Sequence, residues 1–306
     1  MKCLKILLLV ILNFLVRFSF AQDQADYEWW GAAHNWDGVT HWSRYIIRTP
    51  GYMGPNALPV PLVGNATVGD RIKIETAFEY HKSSSEYAYN PYLNLQIPVT
   101  KGKVALDFIY RPIEYYKTTE EIGLERFCRR RSCEGKDGGD LYIGTLINVL
   151  EQNKHFVDGN LDIYLKTTTG KDLADARHID APAYYFDLNL GKTIFNKDGF
   201  FKKLSVYTMG GFYAWQVDLN NNRQDDAYLY GIKADFAFKP LTISCAFSGY
   251  SGYLDLGDKP QVMRYSVSKE IKRMQIYFSY QQGLRDIIRN SYRIGLNYNF
   301  LIKKSK

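Results

Sequence analysis

Residues suited to chemistry gather in a few places along the chain. Asp175-Ala176-Arg177-His178-Ile179-Asp180 sets a histidine among three charges. That grouping could serve general acid–base chemistry, but the same residues suit an ion-pair cluster within one loop. His34, Asp37 and His41 match no strong metal-ligand spacing, and their aromatic neighbours make them contact residues instead. Asp218-Leu219-Asn220-Asn221-Asn222-Arg223 imitates the opening of a calcium loop. Arg223 replaces the turn glycine, however, and Leu229 stands where a bidentate glutamate belongs. Cys128 and Cys133 bracket a hydrophilic Arg-Arg-Arg-Ser run and could close a small disulfide loop in an oxidising compartment. Cys245 sits alone on an apolar parity. There is no Gly-x-Ser-x-Gly, no phosphate-binding loop and no HExxH. The expectation is no cofactor and no metal.

The start of the chain tells where such residues would work. Lys2 and Lys5 precede an apolar run from Ile6 to Val16, and Ser19-Phe20-Ala21 offers a small-residue cleavage site. The run is too short to span a membrane as a helix, so 1–21 reads as a secretory signal peptide. The chain carries a formal charge of +7, and 1–21 holds three of its cations and no acid. The mature chain therefore carries about +4, weak support for nucleic-acid binding. No nucleic-acid partner is expected.

The elements that position these residues follow from a period of two. In Tyr292-Arg293-Ile294-Gly295-Leu296-Asn297-Tyr298-Asn299-Phe300 the apolar residues alternate with polar ones and glycine. A strand sends successive side chains to opposite faces, so one face meets apolar surroundings and the other water. About twelve such segments recur: 71–83, 90–99, 103–116, 139–151, 159–169, 182–194, 203–217, 226–238, 241–252, 261–270, 273–284 and 290–302. Their connections alternate short and long. Segment lengths of about ten to fourteen residues exceed an ordinary strand and suit a tilted bilayer crossing. The 25 tyrosines and 17 phenylalanines, several near strand ends, suit interfacial belts. Segment 203–217 is the least clear, because both of its parities are apolar or aromatic. The fold class is all-β: a transmembrane, antiparallel, up-and-down β-barrel of about twelve strands over 70–302, with a short basic tail at 303–306.

If the apolar parity faces lipid, the other faces the lumen. It carries the acids Glu75, Glu79, Asp107, Asp140, Asp162, Asp187 and Asp235 and the bases Lys73, Arg111, Lys166, Lys233, Arg264 and Arg293, with His81. The signs nearly balance, so pairing across strands is expected, and no single-sign ring stands out.

Gln22 to Asp70 differs from the rest. It holds Trp29, Trp30, Trp36 and Trp42, then four prolines and two glycines between Pro50 and Pro61. Regular structure is excluded there, yet the aromatics argue against a disordered tail. Residues 22–69 are expected to form a plug or a periplasmic strap. Twelve strands enclose more room than eight, which their own side chains fill.

The alternation and the terminal strand resemble the outer-membrane β-barrel proteins of Gram-negative bacteria. Tyr298 and Phe300 on the lipid-facing parity resemble the aromatic signal read by the barrel-insertion machinery, although Leu301 to Lys306 follow here. The resemblance implies an outer-membrane location after cleavage, with short turns toward the periplasm. It also implies outer-membrane lipid and the insertion machinery as partners. Function is expected to be porin-like small-solute passage or an uptake-related role. Alternatives are a lipid-modifying hydrolase and a non-conducting adaptor that binds a periplasmic protein. No serine–histidine dyad falls on the lipid-facing parity, which weighs against the hydrolase.

Overall fold

The computed structural model describes residues 27–131, 134–219 and 221–300. The expected signal peptide, the basic tail and Cys133 lie outside these residues. Helix α1 (Tyr27–His34) and a 3-10 turn at Trp42–Arg44 precede the sheet. Then come β1 (Ile72–Lys82), β2 (Glu86–Thr100), β3 (Val104–Tyr110), β4 (Glu114–Thr118), helix α2 (Glu120–Glu125) and β5 (Glu134–Asp137). The rest of the sheet is β6 (Leu141–Leu150), β7 (Asp158–Lys166), β8 (Ala183–Asn196), β9 (Phe201–Gln216), β10 (Gln224–Phe238), β11 (Thr242–Ser251), β12 (Gln261–Ile271), β13 (Met274–Arg285) and β14 (Asn290–Phe300).

Twelve of these strands close an antiparallel barrel. Each pairs with its neighbours in order, and β1 pairs with β14 from Ile72 opposite Phe300 to Lys82 opposite Asn290. Closure leaves the barrel wall without an open edge. The expected strand 103–116 is two strands. Pro112, which has no N–H to give a ladder, stands between β3 and β4. Beyond it β4 pairs back onto the far end of β2, and β5 extends that sheet above the barrel.

One rim carries short turns, such as 101–103 and 272–273. The other carries the long loops 111–140, 167–182 and 252–260. On the outer surface Phe78, Ile143, Ile163, Phe186, Ile232, Phe278 and Ile294 are exposed. Glu79, Asp107, Asp162, Asp187, Asn189 and Asn297 are buried inside. The wall is thus apolar outside and polar inside, the reverse of a water-soluble barrel. No helix among the described residues is long and apolar enough to cross a membrane. The strands do the crossing.

Candidate functional site

The lumen is occupied by the chain itself. At the long-loop rim the Gly51 amide donates to the Gly257 carbonyl at 2.9 Å, and Thr49 Oγ1 donates to Leu256 O at 2.6 Å. Arg48 pairs with Asp180 at 3.2 Å and with Asp218 at 3.1 Å. The Gly54 amide donates to Ala176 O at 2.8 Å. A Cβ at Gly54 would lie 2.7 Å from Arg177 Cζ, so a side chain there would have to push the Arg177 guanidinium aside. Further in, Tyr250 Oη donates to Leu58 O at 2.8 Å, and Arg264 donates to Val60 O at 2.6 Å and Pro61 O at 3.2 Å. The Gly64 amide then donates to Asn189 Oδ1 at 2.7 Å, and Lys233 donates to Asn65 Oδ1. Val68 packs against Ala105, Tyr142, Leu146 and Tyr164 before β1 begins. Residues 55–68 therefore run down the lumen, while 27–54 lie across the long-loop mouth.

Irregular backbone at this depth needs partners for its amides and carbonyls. The inward side chains of β8, β11 and β12 supply several of them. Packing adds an apolar core. Ile46, Met53, Ala57, Leu58 and Val60 meet Tyr213, Trp215, Tyr250 and Val262 from the barrel wall. This contact explains the poor alternation of β9. Its inward face is aromatic because it packs on the segment, and Trp215 Nε1 also donates to Arg48 O at 2.9 Å.

The four tryptophans singled out from sequence are not what fills the lumen. Trp30 is buried at the long-loop mouth, its Nε1 donating to Phe127 O at 3.1 Å, and Trp36 Nε1 donates to Thr40 O at 2.7 Å. The Arg129 guanidinium lies 5.0 Å from the ring centre of Trp42 and 5.6 Å from that of Trp30. Trp29 sits half-exposed on α1. His34 lies between Trp30 and Phe127, tilted to both rings. Among the described residues no three His, Cys, Asp or Glu side chains could hold a metal ion. Cys128 is buried at the same mouth.

The charged residues form networks, and the partners are unevenly spread. On the β1–β14 ladder Glu79 stands directly opposite Arg293, and His81 opposite Ser291. Glu79 accepts from Arg293 and, at 2.7 Å, from Arg111. His81 Nδ1 lies 2.8 Å from Ser291 Oγ, and its Nε2 is buried with no partner. No carboxylate orients this imidazole, so the pair lacks the third member of a hydrolytic triad. Asp140 meets Lys166 at 2.7 Å and His178 Nδ1 at 3.4 Å. Lys73 pairs with Glu75 at 3.2 Å, and Lys233 lies 3.9 Å from Asp235.

Two corrections follow. Asp175, Arg177, His178 and Asp180 do not pair within their loop. Arg177 is fully buried and joins Glu86 of β2 to Glu114 of β4, the latter at 2.7 Å. Glu86 also receives Arg126 at 3.0 Å and Arg289 at 3.4 Å. Asp175 instead meets Arg130 at 3.1 Å and Tyr116 Oη at 2.7 Å. Burial, then the neighbouring Asp172 carboxylate, push its carboxyl up to about 6. Second, cross-strand ion pairing fails for Asp107, Asp162 and Asp187, which have no cation partner among the described residues. Asn94 donates to both oxygens of Asp107 at 2.9 Å, and Tyr164 adds a bond at 2.8 Å. Asn189 bridges Asp162 and Asp187. Amide donors replace charges on that wall. Glu86, Glu114, Arg289 and Ser291 were missed from sequence. Ser291 alone had a signal, its shared parity with Arg293.

No established protein family matches the chain, and no curated protein sequence matches it. Solved structures do. An outer-membrane channel from Pseudomonas putida is 12% identical over 80% of this chain and 97% of that one, with a TM-score of 0.52. The NanC porin is 12% identical over 74% of this chain and 100% of its own, with a TM-score of 0.47. The β domain of the Bordetella autotransporter BrkA is 12% identical over 76% of this chain and 100% of its own, with a TM-score of 0.44. The fold is that of outer-membrane β-barrels. At such identities the likeness is one of architecture and carries no activity with it.

Tyr298 and Phe300 end β14 with their ring centres 4.5 Å apart, and Phe300 is exposed on the outer surface. Residues 301–306 lie outside the described residues.

Proposed function

We propose that this protein is an outer-membrane channel for small solutes that rests closed, with its own residues 55–68 as the obstruction. The observation that carries this reading is the threaded segment inside a polar lumen. A barrel serving only as a scaffold needs no charged interior, and a polar lumen wall is what a water-filled path requires. On this reading the exposed apolar belt meets outer-membrane lipid, and β14 meets the insertion machinery. Residues 1–21 are removed on export, and the long-loop rim, with 27–54 across it, faces outward. A hydrolase is disfavoured because the Ser291–His81 pair lies inside the lumen without an acid. A periplasmic strap is disfavoured because 27–54 pack on the long loops.

Planar-bilayer recording tests the proposal. The intact protein should conduct weakly or in brief events, and removal of 27–69 should leave a folded barrel with steady current at least tenfold larger. A deleted barrel that folds and stays silent would overturn the channel and favour the adaptor. Lipid turnover in mixed micelles would point to the hydrolase instead.

A further inference from the structure

Beside the threaded segment a cavity of about 120 Å³ remains, between residues 55–62 and the inner wall, chiefly β12, β13, β14 and β1 with Tyr92 of β2 and Arg111 beyond β3. Its charge is one-sided. Arg111, Arg264, Arg289 and Arg293 line it with one carboxylate, Glu79. Arg111 and Arg293 share that carboxylate, and Arg293 also lies 4.0 Å from Glu75. Arg264 has no carboxylate partner among the described residues, and it donates only to neutral oxygens, those of Val60, Pro61, Ser248 and Gln281. Arg289 must share Glu86 with Arg126 and Arg177. One buried nitrogen on a lining residue, His81 Nε2, has no hydrogen-bond partner among the described residues.

Buried cations without matching anions are costly, and an unmade buried hydrogen bond adds to that cost. A bound anion would offset both. We infer that this cavity is a binding site for a small oxyanion of the carboxylate or phosphate class, reached from the short-turn side. Guanidinium groups suit such oxygens because their N–H groups form a planar fork. The volume admits a single small anion and excludes a chain of sugars. Access follows from exposure: Leu62 lines the cavity, yet it is 55% exposed, whereas Asn56, Ala57, Leu58 and Val60 above it toward the long-loop rim are buried.

The inference names the class of solute for the proposed channel and rests on that reading only for passage, since binding can be read without a membrane current. Isothermal titration of the intact, folded protein in detergent, with inorganic phosphate and separately with acetate at constant ionic strength, is the test. One saturable site per chain is expected for at least one of the two anions. Arg264→Gln, which keeps donors toward Val60 and Pro61, should weaken it at least tenfold. Leu62→Trp changes no charge and should block entry, which guards against a folding defect in the first variant. Folding of each variant is checked by heat-dependent gel mobility. Absence of a saturable site for either anion, or binding in both folded variants as tight as in the intact protein, would overturn the inference. A barrel that binds phosphate but carries no current would keep the site and remove the channel.

Discussion

Toward the long-loop rim the lumen is closely joined. Tyr213, Trp215, Tyr250, Arg177 and His178 are all buried there, and the Lys166–Asp140 pair is wholly shielded from water. Toward the short-turn rim the same wall is looser. The Lys73 side chain is 34% exposed and that of Asp235 22%, and Lys233 stands 3.9 Å from Asp235. The two halves share one alternation of polar and apolar residues but differ in what meets the polar side. Above, four separate segments converge on Glu86 and Glu114, so each charge has several partners. Below, the ion pairs Lys73–Glu75 and Lys233–Asp235 join neighbours on one strand, without a cluster of converging segments. A seal is made where contacts come from many parts of the chain. A vestibule is left where they do not.

The largest effect that would break this comparison is at Arg177. Arg177→Met leaves two buried carboxylates without their shared cation, and removal of one partner from a buried pair costs about 3–5 kcal/mol. Lys73→Met, at a partly exposed pair, should cost less than about 1 kcal/mol. Denaturant unfolding in detergent measures both. Equal costs would mean the two halves are equally packed.

A second experiment tests the wall on which both halves depend. Ile276 is exposed on the outer face, whereas Gln275 beside it accepts from Asn297 inside, at 2.9 Å. Ile276→Arg should cost up to about 2–4 kcal/mol, less if the site lies near the interface, because the charge enters hydrocarbon. Gln275→Arg should cost far less, since the short-turn half has water to receive it.

How much of this was legible follows from the same physics. Strand positions and inside–outside assignment were readable wherever one face met lipid and the other met water or charge, as at Glu79, Arg293, Phe78 and Ile294. Legibility failed at β9, where Tyr213 and Trp215 point inward onto Met53 and Leu58. An apolar segment inside a barrel makes both faces apolar, and alternation fades. It failed again at Glu86, Glu114 and Arg289, whose significance is a convergence of four separate segments that no local pattern encodes. The segment's path was equally hidden. Its tryptophans suggested a filler, but the narrow lumen takes Leu58, Val60, Pro61 and Gly64, and the large rings remain at the mouth.

Smaller effects sharpen the comparison. Tyr250→Phe removes one bond holding the segment, at Leu58 O, and should cost about 0.5–1.5 kcal/mol. It should also raise the frequency of brief openings in bilayer recordings. Unchanged stability and current would mean that the segment is held by packing alone. At the long-loop cap, Asp175 binds a proton more tightly folded than unfolded, since its carboxyl is pushed up to about 6 from an ordinary 3.8. Its contribution is therefore fully present below about pH 4 and is lost as pH rises through about 6. Asp175→Asn should flatten that part of the stability profile between pH 4 and 6. An unaltered profile would assign the slope to other groups.

The central claim is that the lumen is closed from the long-loop side by the protein's own segment and open to water from the other. Cysteine accessibility reads this most directly. In a background lacking the native cysteines, Met53→Cys and Leu62→Cys would be treated with a small, charged, membrane-impermeant thiol reagent after insertion into vesicles. Met53 is fully buried and Leu62 is more than half exposed, so the account predicts rapid labelling at 62, only from the short-turn side, and negligible labelling at 53 from either side. Rapid labelling at 53 from the long-loop side, or equal rates at the two positions, would contradict it.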